Sequence, residues 1–182
     1  MHITDLEGSK ATRANVEKFL LKENPRLVFF NGHGDRNCVA GHNDEIILDK
    51  KNICLTKNKI VYSLACDSLE SLGALAVKSG TAAYIGYRAR FMVVSDPTRT
   101  STPAKDKNAL PFRRACHALI SSIINGETVG QAIRKTKEEY KHSIRSLGTS
   151  EDDPYGDIPL IRFALAWDLE FLDMCGNPVA TF

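Results

Sequence analysis

Long apolar runs are missing from this chain: the longest uninterrupted one is five residues, Phe163 to Trp167. A bilayer-spanning helix takes about 20 such residues, so no membrane span is expected. An excess of one charge is missing too. Lys plus Arg total 24 against 22 for Asp plus Glu, a formal +2 that gives no global attraction to nucleic acid or to an anionic membrane. The N-terminus lacks the basic-then-apolar pattern of a secretory signal, and the five cysteines are an odd count. Both features argue against a disulfide framework and for a cytoplasmic protein. No internal repeat or low-complexity tract is present. Lys105 with Lys107, Arg113 with Arg114, and the stretch Arg134 to Lys141 read as solvated faces.

The 182 residues fit one domain at about 150 residues each. Apolar residues at 43% exclude disorder, so the chain is expected to bury a core. Ala11 to Lys22 reads as a helix capped by Thr12, with Val16, Phe19 and Leu20 at helical spacing. Leu27 to Phe30 has no polar interruption and reads as a strand buried on both faces, ending at Asn31-Gly32-His33-Gly34. A polar stretch to Asn58 carries a short strand at Glu45 to Leu48. Lys59 to Ala65 repeats the buried-strand pattern and ends at Cys66-Asp67-Ser68. Leu69 to Lys78 reads as a helix stopped by Gly80, and Thr81 to Tyr87 as a third strand. After the loop Asp96 to Asn108, helices are expected over Pro111 to Ile124 and Val129 to Leu147. A turn-rich loop, Ser150 to Pro159, leads to a final core strand at Leu160 to Trp167, with a hairpin arm at Asp168 to Met174. Helices alternating with apolar strands imply an α/β fold, a mostly parallel sheet flanked by helices in a three-layer sandwich.

In such folds ligands sit beyond the carboxyl ends of the strands. His33 stands at the end of the first buried strand, between two glycines. Cys66 stands at the end of the second, just before a helix start near Ser68. These are the residue types of a nucleophile and its base. A thiolate is favoured by a nearby imidazolium and by the positive end of a helix. Neighbouring strands lie about 4.8 Å apart, so adjacency alone would bring the two side chains together. Glycines beside His33 leave peptide N–H groups open, and the amides of Gly34 and Cys66 are the candidate oxyanion donors. Singly, a cysteine ending an apolar strand is ordinarily a small core residue and a histidine beside glycine a loop residue. Their joint placement favours catalysis.

The run into Asn31-Gly32-His33-Gly34, followed by a second into Leu64-Ala65-Cys66-Asp67-Ser68, resembles the caspase-like cysteine peptidases, which include caspases, gingipains, separase and the bacterial CHAT proteases. The CHAT and gingipain-like branch is the nearest. Gly80 to Gly86, Phe91 to Asp96, the helix from Phe112, and Asn125 to Val129 leading into a helix with Ala132 follow the order seen in CHAT domains. The resemblance covers about Ala11 to Trp167. It implies a caspase-like fold, peptide-bond hydrolysis by Cys66 as nucleophile and His33 as acid/base, oxyanion N–H groups from Gly34 and Cys66, and no metal or organic cofactor. The partner implied is a protein or peptide substrate. The caspase motif Gln-Ala-Cys-Arg-Gly is replaced here by Ser63-Leu64-Ala65-Cys66-Asp67, so preference for Asp is not carried over. Asp96 resembles the acidic residue that meets a basic side chain in separase-like enzymes, and Asp-Pro is also a common turn. Asp67 is a second substrate-binding candidate and a candidate helix cap. The family sheet normally has two strands before the histidine strand, whereas ten residues precede Ala11. Either the chain is the C-terminal part of a longer protein, or a regulatory or sheet-completing protein partner supplies the edge, or the edge is capped another way.

Three other assignments compete. His33, Cys38 and His42, with Cys54 as a fourth ligand, are zinc-ligand types, although their spacing matches no standard paired motif. A caspase-like interaction or sensor module would need no catalysis. A phosphate binder would use Gly32 and Gly34, but no Gly-x-Gly-x-x-Gly or Gly-x-x-x-x-Gly-Lys pattern follows.

Overall fold

Residues 2–148 and 156–182 are described by the computed structural model. The loop expected at Ser150 to Pro159 lies mostly outside the described residues. The chain divides into two compact units, the first formed by residues 1–91 with 173–180 and the second by 92–172 with 181–182.

In the first unit, helix α1 (Arg13–Lys22) starts where the Thr12 hydroxyl accepts the Asn15 N–H, the cap its sequence promised. It buries Val16 and Leu20. Its polar side is tied down by Arg13, which donates to both carboxylate oxygens of Asp49 at 3.2 and 2.8 Å. Strand β1 (Leu27–Asn31) leads into a small antiparallel sheet of β2 (Gly34–Asp35), β3 (Cys38–Ala40) and β4 (Ile46–Leu48), in that order. Strands β5 (Ile60–Leu64), β6 (Ala83–Tyr87) and β7 (Leu172–Gly176) complete a main sheet of order β1-β5-β6-β7. β1 with β5 and β5 with β6 are parallel. β7 runs the other way, since Asp173 pairs with Arg88 beyond β6 while the Asn177 N–H reaches Ala82 before it. The sheet is therefore mixed and mostly parallel, and the α/β class holds.

β5 and β6 are the strands buried on both faces, with residues 60–63 and 83–87 all inaccessible. β1 is not. Val28 and Phe30 are buried but Phe29 is 41% exposed, because β1 is an edge strand and its second face is incompletely covered. Between β5 and β6 the chain makes a wide π-helical turn, Leu69–Gly73, and then helix α2 (Ala74–Lys78).

The second unit is helical. After two short turns at Pro97–Arg99 and Pro103–Lys105, helix α3 (Leu110–Ile124) packs on α4 (Val129–Ser146), and α4 packs on α5 (Ile158–Phe171). Thr128 and Gln131 cap α4 reciprocally. The core strand expected at Leu160 to Trp167 is instead the body of α5, and the strand follows it as β7. A short apolar run cannot distinguish a buried strand from a buried helix. Here Pro159 in the first turn and burial at Ile161, Ala164, Leu165 and Asp168, spaced three and four apart, mark the helix. Among the described residues no helix is long and apolar enough to cross a membrane.

Candidate active site

β1 and β5 pair with a constant offset, Leu27 beside Ile60 through Asn31 beside Leu64. The Gly32 N–H still reaches the Leu64 carbonyl at 3.4 Å, which extends the same register to Gly32 beside Ala65. His33 and Cys66 are the next residues on each side, so the two strands deliver them to neighbouring positions at one end of the sheet. His33 is exposed and Cys66 half-buried. Neither side chain makes a hydrogen bond within the described residues.

The chain then folds back on itself after His33. A β-carbon placed on Gly34 would lie 3.0 Å from the Ala65 β-carbon and 2.7 Å from the Cys38 carbonyl oxygen, so only glycine fits. The His33 carbonyl accepts the Ala40 N–H at 2.9 Å. In an antiparallel ladder hydrogen-bonded and non-hydrogen-bonded pairs alternate, so the next pair, Gly34 with Val39, is of the open kind and the Gly34 N–H points away from β3. The Cys66 N–H likewise has no backbone acceptor among the described residues. Both candidate oxyanion donors are thus unspent by secondary structure.

Directly after Cys66, Asp67 turns the chain with φ of 54°, the left-handed region that Asp tolerates better than most residues. Its N–H donates to Ala89 at 3.3 Å and its carbonyl accepts from Glu70 at 3.1 Å. The expected helix cap is not formed: no side chain caps the turn that begins at Ser68, and Asp67 acts through its backbone, leaving its carboxylate without a hydrogen bond among the described residues. In the π-helical turn the Gly73 N–H takes the Ser68 carbonyl, which frees the Leu72 N–H from its usual partner. That N–H donates to no carbonyl of its own helix and instead donates to the Arg36 carbonyl at 2.8 Å, while Arg36 pairs with Glu70 at 3.3 Å. The β2–β3 hairpin that follows His33 is in this way fastened to the helix that follows Cys66. No sequence pattern announces that bond, because both partners are backbone groups.

Asp96 is in the second unit. Its carboxylate accepts the Thr98 N–H at 2.8 Å and the Thr98 hydroxyl at 2.7 Å, and these bonds hold it below the usual carboxylate range. That is the Asp-Pro turn weighed in the sequence. His33, Cys38, His42 and Cys54 do not assemble, since no group of three or more His, Cys, Asp or Glu among the described residues is arranged to hold a metal ion. All five cysteines are free thiols. Compared with known proteins, the chain matches no family model and no curated sequence.

Proposed function

We propose that the chain is a cysteine endopeptidase of the caspase-like kind, nearest the CHAT and gingipain-like branch, acting through His33 and Cys66. The observation that supports this is the shared register of β1 and β5, which ends one strand on an imidazole and its neighbour on a thiol. His33 takes the Cys66 proton, and the sulfur attacks the scissile carbonyl carbon as its π electrons move onto oxygen. The Gly34 and Cys66 N–H groups stabilise that oxygen. When the C–N bond breaks, the imidazolium returns its proton to the leaving amine. Water then adds to the thioester with His33 accepting its proton, the C–S bond breaks, and the thiol is regenerated. Asp67 beside the nucleophile is the better placed of the two acidic candidates to meet a basic substrate side chain, since Asp96 serves its own turn. Free cysteines suit a reducing compartment, the cytoplasm. The open edge of β1 suits a regulatory or sheet-completing protein partner.

The second assignment, an interaction or sensor module of the same fold, is favoured by the missing hydrogen bond between His33 and Cys66, although such bonds often tighten only with substrate. A panel of peptidyl acyloxymethyl ketones with varied terminal side chains separates the two. Labelling of the native chain but not of Cys66→Ala, with both folded, supports the peptidase, and the preferred side chain reports specificity. Equal labelling of both, or of neither, supports the module.

A further inference from the structure

Ser68 is completely buried. Its hydroxyl lies 3.2 Å from the Ser63 hydroxyl and 3.3 Å from the Ala65 carbonyl oxygen, and the buried Tyr84 hydroxyl sits beside this pair. A carbonyl can only accept, whereas a serine hydroxyl can both donate and accept. Both bonds have the Ser68 hydroxyl as donor, so its single proton is shared between the Ser63 oxygen and the Ala65 carbonyl, and the Tyr84 hydroxyl beside them has no hydrogen-bond partner among the described residues. The acceptor is half of the peptide unit whose other half is the Cys66 N–H. A trans peptide is planar, with its C=O and N–H directed oppositely, so fixing the Ala65 oxygen toward the buried hydroxyls fixes the Cys66 N–H away from them. Polarising the carbonyl also strengthens the N–H as a donor.

We infer that Ser68 is a positioning residue that aims the Cys66 N–H as an oxyanion donor by holding the Ala65 carbonyl. The inference rests on the peptidase assignment and adds to it a residue that touches neither substrate nor sulfur. It separates two reactions of the same thiol. Alkylation by iodoacetamide displaces iodide from carbon, develops no oxyanion and needs no such donor. Acylation by p-nitrophenyl acetate forms a C–S bond, places charge on the carbonyl oxygen and then expels p-nitrophenolate, and it needs one.

The test measures both rates at Cys66 in the full chain, subtracting the reaction of Cys66→Ala to remove the other four cysteines. Ser68→Ala is expected to slow acylation about tenfold or more while alkylation stays within about twofold. Ser63→Ala, which leaves the Ser68 bond to Ala65 in place, is expected to keep acylation within about threefold of native. Where Ser68→Ala does not fold, Ser68→Cys, read against the same variant carrying Cys66→Ala, keeps the volume with a poorer donor and is expected to lose acylation in the same selective way. Native acylation in the Ser68 variant overturns the inference, and so does equal loss in the Ser63 and Ser68 variants or parallel loss of acylation and alkylation. Failure of the peptidase assignment has a different signature: the native chain and Cys66→Ala would then acylate alike.

Discussion

The turn after β5 and the loop from Asp96 to Ala109 are both polar, both carry aspartates and both lead into helices, yet their side chains are committed differently. In the loop the carboxylates serve the backbone. Asp96 accepts from Thr98, and the buried Asp106 accepts the N–H groups of Asp96, Asn108 and Ala109 at 3.0, 2.9 and 3.1 Å. Arg113 adds bonds to the carbonyls of Pro103, Ala104 and Asp106. At the β5 turn the buried Ser63 and Ser68 hydroxyls are bonded, but His33, Cys66 and Asp67 have no side-chain hydrogen bond among the described residues. A segment whose polar side chains close its own backbone is built for shape. The end of the main sheet instead carries an imidazole, a thiol and a carboxylate that have no such commitment among the described residues.

The contrast can be broken most severely at Gly34. Gly34→Ala puts a methyl group against the Cys38 carbonyl and Ala65, and the shift this forces is expected to slow acylation of Cys66 by p-nitrophenyl acetate about 100-fold. Native acylation there would mean that the hairpin does not set the site. On the loop side, Asp106→Ala leaves three backbone donors without their acceptor, and a stability loss of about 2–3 kcal/mol in urea unfolding is expected. Acylation is expected to stay near native; a parallel loss would erase the distinction between the two segments.

Asp168 is the exception in the second unit. One of its oxygens accepts the Met92 N–H at 2.9 Å, the other is buried without a hydrogen-bond partner among the described residues, and burial pushes its pKa up to about 8. The folded chain therefore holds a proton that the unfolded chain releases near pH 4. Stability from this group is full below that pH and declines as pH rises toward 8, at most about 1.4 kcal/mol per pH unit. Asp168→Asn is expected to flatten the decline between pH 5 and 8, read from thermal midpoints; an unchanged slope would assign it to other groups. The smallest effect belongs to Asp67. Asp67→Gly relaxes the left-handed turn and is expected to change stability by less than about 1 kcal/mol. A changed preference between basic and neutral peptides in the same variant would show that the carboxylate reads the substrate, and an unchanged preference that it only shapes the turn.

Much of this was legible in the sequence, for particular reasons. β5 and β6 sit inside the sheet, so burial on both faces wrote unbroken apolar runs. α1 and α4 carry side-chain caps and one-sided burial. His33 and Cys66 stood out because each ends such a run. β1 reads as buried on both faces because composition does not reveal an edge. α5 reads as a strand because Phe163 to Trp167 is apolar throughout, which hides its period. The β2–β3 hairpin left no trace, since strands of two and three residues have no usable pattern. Ser68 was visible only as a helix start; its bond to the Ala65 carbonyl depends on how a peptide plane is turned, which no residue pattern encodes.

The central claim is that His33 activates Cys66, and the rate of Cys66 acylation by p-nitrophenyl acetate at neutral pH, native against His33→Ala with both chains folded, tests it most directly. The variant is expected to be slower by about 100-fold or more. Equal rates would contradict it.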